Sequence, residues 1–287
     1  MKFKHLMKSS GPALAMAAVS ATLGPQSQGT ESSMNADIST VTYCDDRKMD
    51  IYSPINASSA MPAAIYVHGG GWTEGGRRKI WPEAVSQSVM DALLERGFLI
   101  TSIDYALNKS YPQNIRDVVC SIQYLRANAE SLHISPEHIG IWGDSAGGHL
   151  AALAALADEK GAFDSPKFPG VSSQVQAVID LYGPSMMATN VFGTAQANPI
   201  SWISDKSDSD PPFLIIHGKA DRTVPVSDSQ ALYDALKAAG QPVTLQIVEG
   251  ADHGFFPNDA TINPSDGQII AMMTEFFIQH LGAKNPG

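Results

Sequence analysis

A serine, an aspartate and a histidine in the right chain order can together break an acyl bond, and this sequence supplies them together with a glycine-rich loop. Gly143-Asp144-Ser145-Ala146-Gly147 matches G-x-S-x-G and lies between an apolar run, His138–Trp142, and an alanine- and leucine-rich run, Ala146–Ala157. A serine at such a strand-to-helix turn is held in a strained conformation with its hydroxyl exposed above a sheet. The flanking glycines leave room for strand and helix to cross closely. A serine N-cap in an ordinary turn would explain the helix start but not the paired glycines. The five-residue match alone is common, so the context carries the expectation.

A second stretch, His68-Gly69-Gly70-Gly71-Trp72, follows the apolar run Ala63–Val67. Attack by a serine turns a carbonyl oxygen into an anion, and backbone amides aimed at that position stabilise it. Gly70, Gly71 and Ala146 are the candidate donors. A phosphate-cradling loop is the competing use, but neither G-x-G-x-x-G nor G-x-x-x-x-G-K-[ST] is present, and an ordinary glycine-rich turn is the bland alternative. His68 precedes the donors and is read as ordering their loop.

The third element is a base with its orienting acid. In this kind of site the acid precedes the histidine in the chain. Asp221 follows the run Phe213–His217, and His253 follows Val243–Val248. His253 would take the serine proton and return it to the leaving group, while Asp221 would hold the imidazole in the productive tautomer. Glu249 and Asp252 are rivals for the acid, but they share a loop with His253, and approach from a neighbouring strand is easier. His217 is read as a satisfied core histidine and His149 as a packing residue near the site. His5, His133 and His280 lie in terminal or solvent-facing stretches. Asp144 is read as a supporting or solvated group, with a substrate-facing role as the alternative.

The elements that must position these residues alternate. Strands are expected at Thr40–Cys44, Lys48–Tyr52, Ala63–Val67, Phe98–Ile103, His138–Trp142, Val175–Leu181, Phe213–His217 and Val243–Val248. Helices are expected over Pro82–Arg96, around Ile115–Leu125, over Ala146–Ala157, over Ser227–Ala239 before Gly240, and around Ile269–Phe277. That pattern implies an α/β fold with a mostly parallel sheet of about eight strands flanked by helices. Ligands in such folds sit beyond the carboxyl ends of the strands, where all three stretches fall.

Composition is consistent with one globular domain. The chain has 287 residues, 44% of them hydrophobic, and a formal charge of -10. So acidic a chain lacks the positive field that nucleic acid or anionic membrane surfaces require. Beyond the N-terminus no run is long and apolar enough for a membrane span. Lys2, Lys4 and Lys8 precede a small apolar run, Gly11–Leu23, with Val19 and Ala21 suited to a cleavage site. Residues 1–21 are therefore read as a signal peptide, 22–39 as a flexible leader and 40–287 as the catalytic domain of a secreted or periplasmic protein. A buried N-terminal helix is the alternative for the first segment. Cys44 and Cys120 are too few and too separated for a zinc motif. They are read as unpaired thiols, with a disulfide as the alternative that export would allow. Cys120 falls off the apolar stripe of its helix.

HGGGW, GDSAGGHLAA, DLYGP, PPFLIIHGKADRTVPV and VEGADHGF, taken together, resemble α/β-hydrolase esterases of the bacterial feruloyl and acetyl-xylan type. That group lies near the hormone-sensitive-lipase-like and prolyl-oligopeptidase-like branches. The resemblance covers about residues 40–281 and implies Ser145 as nucleophile, Asp221 as acid and His253 as base. It also implies Gly70, Gly71 and Ala146 as oxyanion donors, and no metal or organic cofactor. Two features depart from it. Glu74 follows the glycine loop, where an acid would disfavour anionic substrates. Ser185–Asp210 is short, implying a minimal lid, access for bulky or polymer-attached esters, and little interfacial lipase action.

The resulting expectation is a serine carboxylesterase acting through an acyl-enzyme on short-chain, aryl, acetylated-sugar or feruloyl esters. A serine amidase or peptidase and a non-catalytic binding protein of the same fold are the alternatives. Trp72, Met186, Met187, Trp202, Phe255 and Phe256 are candidate pocket walls, with core packing as an equal reading. Acyl and alcohol specificity and oligomeric state are not legible.

Overall fold

Eight strands pair into one sheet, the inner ones built from β-branched and small apolar residues, and their order fixes where the functional loops emerge. The computed structural model describes residues 36–55, 60–157, 161–205, 210–258 and 261–282. The strands are β1 Ala36–Cys44, β2 Arg47–Pro54, β3 Met61–Val67, β4 Leu99–Ile103, β5 Ile134–Asp144, β6 Ala177–Leu181, β7 Phe213–Gly218 and β8 Val243–Val248. They lie in the order β1-β2-β4-β3-β5-β6-β7-β8. β1 and β2 are antiparallel to each other, β2 is antiparallel to β4, and every other pairing is parallel. Eight strands in a mostly parallel sheet agree with the expected α/β architecture.

The helices are α1 Ser88–Glu95, α2 Gln113–Ala127, α3 Ala146–Leu156, α4 Met186–Phe192, α5 Val226–Ala238 and α6 Asp266–Leu281. Strand alternation divides the core between two faces. Ala63, Ile65 and Val67 of β3 join α2, α3 and α5 in one apolar cluster. Ala64 and Tyr66 join α1 and α6 in the other. Both phases of the strand are buried, which is why these runs read as continuously apolar rather than alternating. Among the described residues no helix is long and apolar enough to cross a membrane.

Several boundaries differ from expectation. The leader was expected to end at residue 39, but β1 begins at Ala36, paired with Pro54. Residues 37–40 are exposed, so the backbone ladder and not an apolar pattern makes them a strand. The proposed signal segment lies outside the described residues. The helix expected from Pro82 starts as a π-helical turn, Glu83–Gln87, before α1. The short stretch after Ser185 forms α4 and two 3-10 turns, Ala195–Ala197 and Pro199–Trp202, the latter packed against α3 and α5.

The thiol reading is corrected: Cys44 and Cys120 form a disulfide, with their Cα atoms 6.2 Å apart. Cys120 is fully buried although it lies off the apolar stripe, because α2 is covered on its second side as well. β1 packs there. So does the segment around Asp164–Val171, held by Gln123 through Asp164 and the Val171 carbonyl.

Candidate active site

β3 lies between β4 and β5, so the chain direction across the sheet reverses at β3, and the crevice between the ends of β3 and β5 is the natural ligand position. The glycine loop leaves β3 on one side of that crevice, and Ser145 leaves β5 on the other. Ser145 has φ 51° and ψ −117°, a region that costs about 1–3 kcal/mol for a residue with a side chain. Its amide is held by the Leu181 carbonyl at 2.8 Å, and α3 begins at the next residue. A methyl group on Gly143 would run into the Gly147 backbone, and one on Gly147 into the carbonyls of Val67 and His68. The two glycines thus set how closely α3 passes β5 and β3.

The side chains expected to act together do converge. His253 Nε2 lies 3.1 Å from Ser145 Oγ, and His253 Nδ1 lies 2.7 Å from Asp221 Oδ2. The carboxylate of Asp221 is fully buried. Its Oδ1 accepts the amides of Thr223 and Val224, each at 2.8 Å. Burial pushes this carboxyl up, but hydrogen bonds from His217, His253 and the Val224 amide outweigh it and hold the group well below the usual range. Such an acid stays ionised, so the neutral imidazole carries its proton on Nδ1 and presents Nε2 to the serine hydroxyl.

The rival carboxylates are engaged elsewhere. Asp252 accepts the Arg222 amide and side chain, and also the amide of His253. Glu249 pairs with Lys219 at the surface. Both contacts tie the loop carrying Asp221 to the loop carrying His253.

The glycine loop is pinned at several points. Asp144 Oδ1 accepts the Gly69 amide at 2.9 Å and the Tyr66 hydroxyl at 2.6 Å. The Tyr105 hydroxyl donates to the His68 carbonyl at 2.9 Å, and the His68 ring stacks on Tyr105. His68 Nδ1 donates to the Gly69 carbonyl. Trp72 Nε1 donates to His149 Nδ1 at 3.2 Å, and His149 Nε2 donates to the Ala197 carbonyl at 2.6 Å. Burial lowers the His149 imidazole to about 4, so it is neutral at physiological pH and can accept from Trp72. Burial raises the Asp144 carboxyl to about 7, against the pull of its Tyr66 and Gly69 hydrogen bonds. The amides of Gly70 and Gly71 donate to no described residue, and that of Ala146 opens the first turn of α3, where helices leave amides unpaired.

A cavity of about 400 Å³ lies against this constellation, lined by the glycine loop, Thr73, Glu74, Lys79, Trp81, Ser145, Thr223 and His253. None of the six expected walls lines it. Trp72 is buried against His149 and Phe192, where its ring closes the back of the loop. Phe255 is buried against Tyr182. Trp202 packs on Phe163 and donates to the Gln196 carbonyl. Met186 opens α4 and is 42% exposed. Met187 follows it in α4 and is also absent from the lining. Phe256 packs against Trp81 with the rings tilted by 53°, and so backs a cavity wall from outside. Aromatic type alone could not separate core from cavity; the loop residues Thr73, Lys79, Trp81 and Thr223 were missed because nothing in their spacing marks them. Tyr66, Tyr105 and Tyr182 were missed too. Each follows or lies within a strand that ends at the site, which is the signal that could have found them. Among the described residues no group of His, Cys, Asp and Glu side chains is placed to hold a metal ion.

The BD-FAE family model matches residues 49–192 and 186–236. The probable carboxylic ester hydrolase LipM of Mycobacterium tuberculosis is 28% identical over 77% of this chain and 56% of its own length. Esterase LipQ of the same organism is 32% identical over 68% of this chain and 50% of its own. The chain thus spans about half the length of these curated relatives. Among solved structures, a truncated carbohydrate esterase from gut microbiota superposes with TM-score 0.70 at 28% identity, covering 88% of this chain and 99% of that one. Thermogutta terrifontis esterase 2 phosphorylated by paraoxon gives 0.72 at 26%, covering 88% and 96%.

Proposed function

The chain belongs to the BD-FAE family, and from that premise we propose that it is a serine carboxylesterase in which Ser145 is the nucleophile, His253 the general base and Asp221 the orienting acid. The observation that carries this reading is the unbroken line from Ser145 Oγ to His253 Nε2 and from His253 Nδ1 to Asp221, beside the free amides of the glycine loop. Ser145 Oγ attacks the ester carbonyl as His253 Nε2 takes its proton. The carbonyl oxygen becomes an anion facing the amides of Gly70, Gly71 and Ala146. The C–O bond to the alcohol then breaks, and the alcohol leaves with the proton from His253, giving acyl-Ser145. Water, deprotonated by His253, attacks that acyl group and releases the acid and the serine.

The substrate class proposed is a short-chain, aryl, acetylated-sugar or feruloyl ester, small or attached to a polymer. The carbohydrate esterase neighbour and the esterase relatives support it. Glu74 and Lys79 on the cavity wall supply polar partners for such alcohols. Export to a periplasmic or extracellular compartment belongs to the same proposal. The basic and apolar N-terminal pattern supports it, as does the Cys44–Cys120 bond, since disulfides persist in oxidising compartments.

A fluorophosphonate probe should label the wild-type protein at Ser145. A panel of p-nitrophenyl esters from acetate to octanoate, with feruloyl and acetylated-sugar esters and an anilide control, should show ester turnover. Ser145→Ala should fold normally and lose turnover by several orders of magnitude. Undiminished turnover in that variant ends the proposal; faster cleavage of anilides than of esters would move it to an amidase.

A further inference from the structure

His217 is the penultimate residue of β7, is fully buried, and touches the same carboxylate oxygen that holds His253. Its Nδ1 lies 2.7 Å from Ser229 Oγ on α5. Its Nε2 lies 3.0 Å from the Val224 carbonyl oxygen and 3.2 Å from Asp221 Oδ2. Both neighbours of Nε2 are acceptors only, an ionised carboxylate and a carbonyl, so Nε2 carries a proton. In the neutral ring Nδ1 is then the acceptor, and the Ser229 hydroxyl donates to it. With two backbone amides on Oδ1 and two imidazoles on Oδ2, Asp221 has about four lone-pair directions and all are taken.

We propose that His217 is a positioning residue for the acid–base pair: its Nε2–H, shared between Asp221 Oδ2 and the Val224 carbonyl, fixes the rotation of the carboxylate and draws charge from the oxygen that orients His253. The inference rests on the reading of Ser145, His253 and Asp221 given above. The low-lying Asp221 carboxyl agrees with it, since His217 heads the hydrogen bonds that offset burial there. Removing the donor leaves more charge on Oδ2, which then holds the His253 imidazolium more tightly. The base is protonated up to a higher pH, and the acid limb of kcat/KM moves upward. The other titratable groups facing His217 are Asp180 near the end of β6 and Tyr182 beyond it, and His253 also faces Tyr182 and the charge of Asp144. None of them is altered by the substitutions below.

The test is the pH profile of p-nitrophenyl acetate hydrolysis by the full chain for wild type, His217→Leu and His217→Gln. Glutamine keeps an N–H near the Nε2 position; leucine does not. The expected result for leucine is an acid limb moved up by about half a pH unit or more and kcat lowered about tenfold, with glutamine restoring the limb. Equal profiles for the two variants, or an unmoved limb in the leucine variant, overturn the proposal. Nitrogen-15 NMR of the wild-type histidine side chains decides the matter even where the leucine variant fails to fold. His217 must carry its proton on Nε2 with Nδ1 bare at pH 8, and the opposite tautomer overturns the proposal. Fluorophosphonate labelling of Ser145 in the same samples keeps the two readings apart. Labelling with no limb shift refutes the His217 role alone, and absent labelling in wild type refutes the triad.

Discussion

The Cys44–Cys120 bond closes a loop of 76 residues that contains β2, β3, β4, α1 and the whole glycine loop. In the chain-entropy treatment a cross-link acts by restricting the unfolded ensemble, and a loop of this length corresponds to about 4.5 kcal/mol at 25 °C. Replacing both cysteines by alanine should therefore lower the unfolding free energy by about 3–5 kcal/mol, and the melting temperature by roughly 10 °C for a domain of this size. Neither sulfur borders the cavity beside Ser145, so turnover at 25 °C should stay within about twofold of wild type while thermal tolerance falls. Urea unfolding with and without reductant, alongside the double alanine variant, measures the effect, and thiol titration of the native protein checks the bond itself. Two titratable thiols in the native state, or a loss under about 1 kcal/mol, would refute the reasoning.

Two further outcomes follow from the site's supports. The Asp144 carboxyl is raised from 3.8 to about 7 by burial, so the folded state binds its proton more tightly than the unfolded chain. Its contribution to stability is full below about pH 4 and is lost as pH rises towards 7, with a slope of up to about 1.4 kcal/mol per pH unit. Asp144→Asn removes that loss while keeping an oxygen for Tyr66 and Gly69, so its stability should gain on wild type between those pH values; parallel curves from urea titrations would count against it. Gly147→Ala places a methyl against the carbonyls of Val67 and His68, and should cost about 1–3 kcal/mol and reduce kcat by shifting Ser145. Wild-type stability and kcat in that variant would mean that the helix has room to move.

The line from Ser145 through His253 to Asp221 could be anticipated because Ser145 and Asp221 follow continuously apolar runs that become interior parallel strands, and His253 follows the parallel edge strand β8, whose end lies on the same side of the sheet. The loop with unpartnered amides was legible for a different reason: three successive glycines let the backbone bend sharply with its amides uncovered. The cavity wall was not legible. Trp72 and Phe255 are large aromatic residues beside the key motifs, yet both turn inward, and the wall is built instead from Thr73, Lys79, Trp81 and Thr223. A side chain's direction in an irregular loop depends on backbone angles that no periodicity encodes. Trp72 has φ 60° and Phe255 φ 62°. Cys120 shows the same limit in a helix. The apolar stripe marks one buried face, but coverage of the second by β1 and the Asp164–Val171 segment is a long-range matter. His217 looked like ordinary interior filling because its contact with Asp221 crosses a tight turn of four residues, where helical or strand spacing offers no guide.

The glycine loop is gripped from three directions, by Asp144, by Tyr105 and by the Trp72–His149 pair, all of them buried. A loop held this way is finished when the chain has folded, so, if it receives negative charge as proposed, its ordering entropy is spent once, in folding, and not again at each encounter with a ligand. On the proposed reading, choice among esters passes to the outer wall of Thr73, Glu74, Lys79 and Thr223, whose side chains lie towards solvent and can change without disturbing the glycine loop. A lineage built on this scaffold could thus drift widely in what it accepts while the reaction itself stays the same.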